Sequence, residues 1–333
     1  MRDSRRFRRS LIVGLLSVGM LSLGSAPAWA DDESIVLDLV RHGETLSNLN
    51  GIIDTEPPGA PLDATGVAQA NEVANSIYGV FKDNISGLFA SDATRTQQTA
   101  EPLAALLGAL NKGADPFPVE TLSGLNEIPA GAFEGQQTLS LDGILYLLGP
   151  LSWTLGFPLV PNFGDPSMNG ITFDESFGSA VQHIYDGTVG TGDVTTNDVA
   201  YSSAGAIAVW TLMNVKNPDF SIMFDEVINN QEFLPNTGQV VIEGSPGDWT
   251  LVSYDGVAVP QDPGLGTDLF VDFRDLIEAP QFAYYDIYEA LLTGNSTMID
   301  NAIQTGLSQV DTALSQFPVE VFNDIVTAFG GSL

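Results

Sequence analysis

The sequence predicts a three-layer α/β/α sandwich around a mostly parallel sheet, with one insertion and a helical C-terminal extension. Three observations carry that expectation. Short apolar runs rich in branched residues, at 35–40, 88–90 and 198–202, have the length of buried strands. Amphipathic stretches at helical spacing separate them. Residues 239–243 and 249–253 flank Ser245-Pro246-Gly247-Asp248, a hairpin pattern at one side of the sheet. Strands alternating with helices are the pattern of a layered α/β fold.

In chain order, residues 1–30 read as a secretory signal peptide. Arg2, Arg5, Arg6, Arg8 and Arg9 precede an apolar run at 11–23, and Ala28-Trp29-Ala30 sets cleavage before Asp31. Arg8-Arg9 also suits twin-arginine export. The apolar run is too short for a retained anchor. The protein is therefore expected to be exported, secreted or in the cell envelope, with no stable membrane span after signal removal.

Residues 31–255 are expected to form one α/β domain. Its first strand, 35–40, runs into Arg41-His42-Gly43-Glu44-Thr45. A Pro- and Gly-rich loop at 54–61 leads to a helix with Val67, Ala70, Val73, Ala74, Ile77 and Phe81 on its inner face. The strand at 88–90 ends at Ser91-Asp92, and a helix at 94–107 turns Ala100, Leu103, Ala104 and Leu107 inward. A loop bearing Gly and Glu follows at 122–135. Residues 136–200 read as an insertion. Its stretch 143–161 carries no charge, and Gly149-Pro150, Pro158 and Pro161 are expected to break any helix, leaving a buried flap or a cap over the site. Phe173-Asp174-Glu175-Ser176 opens a further helix. The strand at 198–202 precedes Ala204-Gly205 and an apolar helix at 206–215. Residues 256–333 form the helical extension, with Ile299, Ile303, Leu307, Val310 and Leu314 expected on one face, for packing or for another protein.

Composition narrows the function. The chain has 333 residues, no cysteine, 11 Lys+Arg against 42 Asp+Glu, and a formal charge of −31. Without the leader's five arginines and one aspartate, six basic residues face 41 acidic ones, for −35. Disulfides and thiol chemistry are excluded, and such a surface repels nucleic acid and anionic lipid. It would repel a phosphorylated substrate too, so an anion site needs cations concentrated locally. Of the arginines, only Arg41, Arg95 and Arg274 lie beyond the leader.

Two of these three arginines fall where chemistry is expected. Arg41 and His42 close a strand at the end where open α/β sheets bind ligands. A histidine that attacks phosphorus needs a dense positive surround, and the guanidinium fork suits phosphate oxygens. Arg95 falls in the first turn of a helix just after a strand, where free N–H groups favour anions. Glu127, in the Gly-bearing loop, offers a carboxyl able to protonate a leaving oxygen.

Arg41-His42-Gly43-Glu44-Thr45 with Asn48, the 62–70 segment, Ser91 through Ala100, and Leu125-Asn126-Glu127 resemble, in order, the histidine phosphatase superfamily, the phosphoglycerate-mutase-like group. Glu175-Ser176 and Leu234-Pro235-Asn236-Thr237 fit softer signatures. The resemblance implies hydrolysis of a phosphorylated small molecule through a phosphohistidine on His42, without metal or cofactor. Arg41 and Arg95 would hold the phosphoryl oxygens, Glu127 would serve as acid, and Thr45 and Asn48 would hydrogen-bond in the pocket. It also exposes a departure. Where the family carries a second histidine, this chain has Ser203. The remaining histidine, His183, falls on a helix of the insertion. A serine can hydrogen-bond phosphate but brings no charge. The alternative is thus a catalytically impaired phosphatase-like protein that binds a phosphorylated ligand or another protein.

Overall fold

A computed structural model describes residues 34–82, 84–110, 115–189, 197–230 and 232–330; the expected leader lies outside them. β1 (Ile35–Arg41), β2 (Ile85–Ala90), β3 (Val119–Thr121) and β4 (Asn197–Ser202) are parallel to one another. β5 (Gln239–Ser245), β6 (Asp248–Tyr254) and β7 (Val257–Ala258) continue the sheet antiparallel, in the order β3-β2-β4-β1-β5-β6-β7. The central strands alternate their faces. Leu37 and Leu39 enter one core, while Val40 enters another with Val199 and Tyr201. That two-sided burial produces the three layers.

On the second face pack α2 (Ala64–Phe81) and α3 (Thr94–Leu110), through Ala70, Val73, Ala74, Ile77, Leu103 and Leu107. Val67, expected inward, is exposed: the stripe begins instead at Gly66, whose missing side chain lets α2 approach the backbone of Glu44. On the first face lie α4 (Leu141–Thr154), α5 (Gly170–Val189) and α6 (Ala204–Asn214), joined by a column of aromatic rings, Trp153, Phe173, Phe177 and Trp210.

Two expectations are corrected here. Gly149-Pro150 does not break the chain into loops, because α4 continues through Pro150. Burial of Gly143, Gly149, Pro150 and Trp153 on its inner face outweighs the roughly 3 kcal/mol that an interior proline costs. The tail is helical as expected, but two residues of its expected inner face, Leu307 and Leu314, point to solvent. α8 (Leu265–Thr293) and α9 (Ser296–Ala328) run on through Pro280 and Pro318. They are joined by Gly294, left-handed at φ 65°, and by Asn295, which caps α9. Gly306 of α9 lies against Ala283 of α8. Buried Arg274 fastens this hairpin to the domain by donating to the carbonyl of Leu212 at 2.9 Å. A short α1 (Leu46–Leu49) and α7 (Phe220–Asn230) complete the helices. No helix among the described residues is long and apolar enough to cross a membrane.

Candidate phosphate site

The sheet's topology assembles the site. His42 follows β1, Arg95 lies in the first turn after β2, Glu127 comes just after β3 and the turn at 123–125, and Ser203 follows β4. All four therefore emerge at one edge, the C-terminal ends of parallel strands. Backbone bonds lock them there: His42 N–H donates to Ser202 at 3.1 Å, and Ser91 N–H to Tyr201 at 3.1 Å. Ser202 Oγ donates to the carbonyl of Leu125 at 2.6 Å. Asn126 and Asp92 exchange two hydrogen bonds of 2.9 Å, which tie the Glu127 loop to the start of α3.

His42 is buried. Its Nδ1 lies 2.8 Å from the carbonyl oxygen of Gly43. A carbonyl can only accept, so Nδ1 carries the proton. Burial, then the charges of Arg95 and Arg41, hold the imidazole well below its ordinary pKa of 6.5. The neutral ring thus presents an unprotonated Nε2.

Arg41 is clasped from outside. Nη1 pairs with Oε2 of Glu232 and with the carbonyl oxygen of Leu234, and Nη2 reaches Oε1 of Glu232 at 3.4 Å. Its Nε is buried without a partner. The segment bearing Glu232 enters β5 at Gln239, opposite Val40, so it must cross the same edge. It also holds the motif's backbone: Arg41 N–H donates to Gly238 at 3.0 Å, and Asn236 Nδ2 to the carbonyl of His42 at 3.1 Å. Arg95 is buried, with Nη1 unbonded and 3.8 Å from Asp54 Oδ1. Gly59, at φ 63°, makes room for it: a Cβ there would lie 2.2 Å from Arg95 Nη1.

Glu127 sits against the N-terminus of α6. Its Oε2 accepts Gly205 N–H at 3.1 Å, and its Oε1 accepts Ile128 N–H at 2.9 Å. Burial pushes its pKa up from 4.5, against the backbone hydrogen bonds and Arg95. Tyr146 of α4 donates to the carbonyl of Ile128 at 2.6 Å, so the 136–200 segment reaches this edge. Ser203 is the N-cap of α6, yet it makes no capping bond, and its Oγ is buried without a partner.

Thr45 and Asn48 serve each other. Asn48 N–H donates to Thr45 Oγ1 at 3.2 Å, and Thr45 N–H to Asn48 Oδ1 at 3.1 Å, the capping box of α1. They hold the turn after Gly43. His183 is exposed on α5 and bonds Glu120 at 2.8 Å, outside the cluster. No group of three or more His, Cys, Asp or Glu suited to a metal ion occurs among the described residues. Sequence reasoning missed Glu232, Asp54, Gly59 and the role of Gly205. Only the Gly-Pro-rich 54–61 loop and the Ala204-Gly205 pair left a signal.

Residues 37–143 match the model of the histidine phosphatase superfamily (branch 1), a stretch that contains Arg41, His42, Arg95 and Glu127. Over 305 residues the chain is 46% identical to PE-PGRS family protein PE_PGRS11 of Mycobacterium tuberculosis, covering 90% of this chain and 49% of that one. It is 35% identical over 134 residues to uncharacterized protein Rv0525 of the same organism, covering 40% and 59%. The chain thus matches about half the length of these curated relatives. A solved structure described as mycobacterial hydrolase 1 shares the fold at a TM-score of 0.51 and 18% identity, over 68% of this chain and 100% of that one.

Proposed function

We propose that this protein, built on a histidine phosphatase-like fold, is an exported phosphomonoesterase that works through a phosphohistidine on His42. One observation carries the proposal: a buried, neutral imidazole proton-tied at Nδ1 stands under the charge of two buried guanidiniums. In the first step the Nε2 lone pair attacks phosphorus, the ester P–O bond breaks, and the leaving oxygen takes the proton of Glu127. In the second, water attacks phosphorus, Glu127 takes its proton, and the N–P bond breaks to release inorganic phosphate. Arg41 Nε, Arg95 Nη1 and Ser203 Oγ, three buried donors that make no hydrogen bond, would meet the equatorial oxygens, where charge collects.

The test is turnover of an aryl phosphate by the protein and by His42→Ala, with acid-labile phosphate on the protein followed in parallel. Turnover and label that both vanish in the variant support the proposal. Turnover that survives in His42→Ala overturns it. Ser203 favours one rival, an impaired phosphatase-like protein that binds its ligand without turnover. Phosphate binding without turnover in either protein would establish that rival. Export rests on the leader at 1–30, and N-terminal sequencing of secreted protein should begin at Asp31.

A further inference from the structure

We infer that the site accepts phosphomonoesters whose alcohol half carries no second anionic group; this rests on the phosphatase proposal and adds a substrate class to it. The two guanidiniums beside His42 already face four acidic side chains. Glu232 pairs with Arg41, while Asp54, Glu127 and Glu134 all act on Arg95. Two of these carboxylates stand between the buried cations and solvent. The Glu232 side chain is 35% exposed where that of Arg41 is 5%, and Asp54 is 18% exposed where Arg95 is 3%. A phosphoryl group that reaches the imidazole meets the buried donors Arg41 Nε and Arg95 Nη1. The rest of the substrate lies further out, beside Glu232 and Asp54.

No further cation among the described residues is placed to offset them. Lys82 caps the far end of α2, just ahead of β2. Lys216 follows α6 and pairs with Asp248 at 2.9 Å, level with the start of β1. Arg274 is tied to Leu212 in the last turn of α6 and to Asp275. All three lie at the opposite edge of the sheet from His42. A carboxylate or second phosphate on the alcohol would therefore approach anionic side chains with nothing to pair with, and like charges brought together in a partly buried site repel strongly.

The test uses a matched pair of phosphates, 4-carboxyphenyl phosphate and its methyl ester, on the full chain. The neutral ester should be favoured in kcat/KM by at least about tenfold, and Glu232→Gln or Asp54→Asn should narrow that gap. Equal kcat/KM for the pair, or a gap unmoved by both substitutions, overturns the inference. If neither compound is hydrolysed, the phosphatase proposal fails, and calorimetric binding of the same pair decides the selectivity alone. Tighter binding of the ester supports it, and equal binding ends it.

Discussion

Glu127 and Gly205 are fitted to each other. The Gly205 N–H donates to Glu127 Oε2 at 3.1 Å, and a Cβ on Gly205 would lie 2.8 Å from Oε1. The glycine admits the carboxyl to the N-terminus of α6, where the helix dipole and a free N–H hold it. Gly205→Ala is therefore expected to displace the carboxyl without unfolding the domain. Misplacing a catalytic group by about 1 Å costs on the order of 10² in rate. The loss in kcat should be larger for alkyl than for aryl phosphates, because a poor leaving group depends more on its acid, while the circular dichroism spectrum stays unchanged. Equal losses on both substrates would remove Glu127 from the acid's role.

The pH–rate profile follows from two opposite displacements. In the proposed mechanism His42 must be unprotonated to attack, and burial with Arg95 and Arg41 sets its pKa well below 6.5, so the acid limb of kcat/KM should lie below pH 6.5. The same mechanism needs Glu127 protonated, and burial raises it above 4.5, so activity should fall only as pH climbs past a point above 4.5. Glu127→Gln should lower activity and abolish the alkaline limb while leaving the acid limb in place. An acid limb centred above pH 6.5 would contradict the neutral imidazole.

How much of this was legible depended on sequence distance. Arg41 and His42 are adjacent at a strand's end, and Arg95 opens a helix, so local pattern sufficed to find them. Ser203 was locatable because a buried strand and an apolar helix bracket it. Glu232 gave no such sign. It meets Arg41 across 191 positions, and one carboxylate among so many has no distinguishing pattern. Its placement comes from the antiparallel entry into β5, a feature of tertiary pairing. The helix through Pro150 was misread for a related reason: local propensity argued for a break, and burial of Trp153 in the core prevailed.

Ser203→Ala tests the departure most directly. The hydroxyl is buried without a partner and caps nothing, so its removal should cost little stability. If it meets a phosphoryl oxygen in the transition state, kcat should fall by about 10². Thermal unfolding measured beside kcat separates the two effects. A variant that keeps full activity would show that the two arginines suffice.

Asp38 predicts how stability responds to pH. It lies on β1, three residues before Arg41, and is buried against the second core. Burial pushes its pKa from 3.8 to about 7, against the 2.5 Å hydrogen bond from Gln239 Nε2, and its Oδ1 has no partner. The folded chain thus holds this proton more tightly than the unfolded chain does. The resulting stabilisation is fully present below pH 3.8 and is lost as pH rises through about 7. A shift of that size corresponds to about 4 kcal/mol, and Asp198, pushed to about 6, adds in the same direction. An asparagine keeps an oxygen for Gln239 and cannot ionise. Asp38→Asn should accordingly match the parent near pH 4 and exceed it in stability by a few kcal/mol at pH 8, read from urea unfolding. Parallel curves for the two proteins across that range would mean that Asp38 does not take up its proton on folding, and that the polar pair it forms with Gln239 keeps the carboxylate charged inside the sheet.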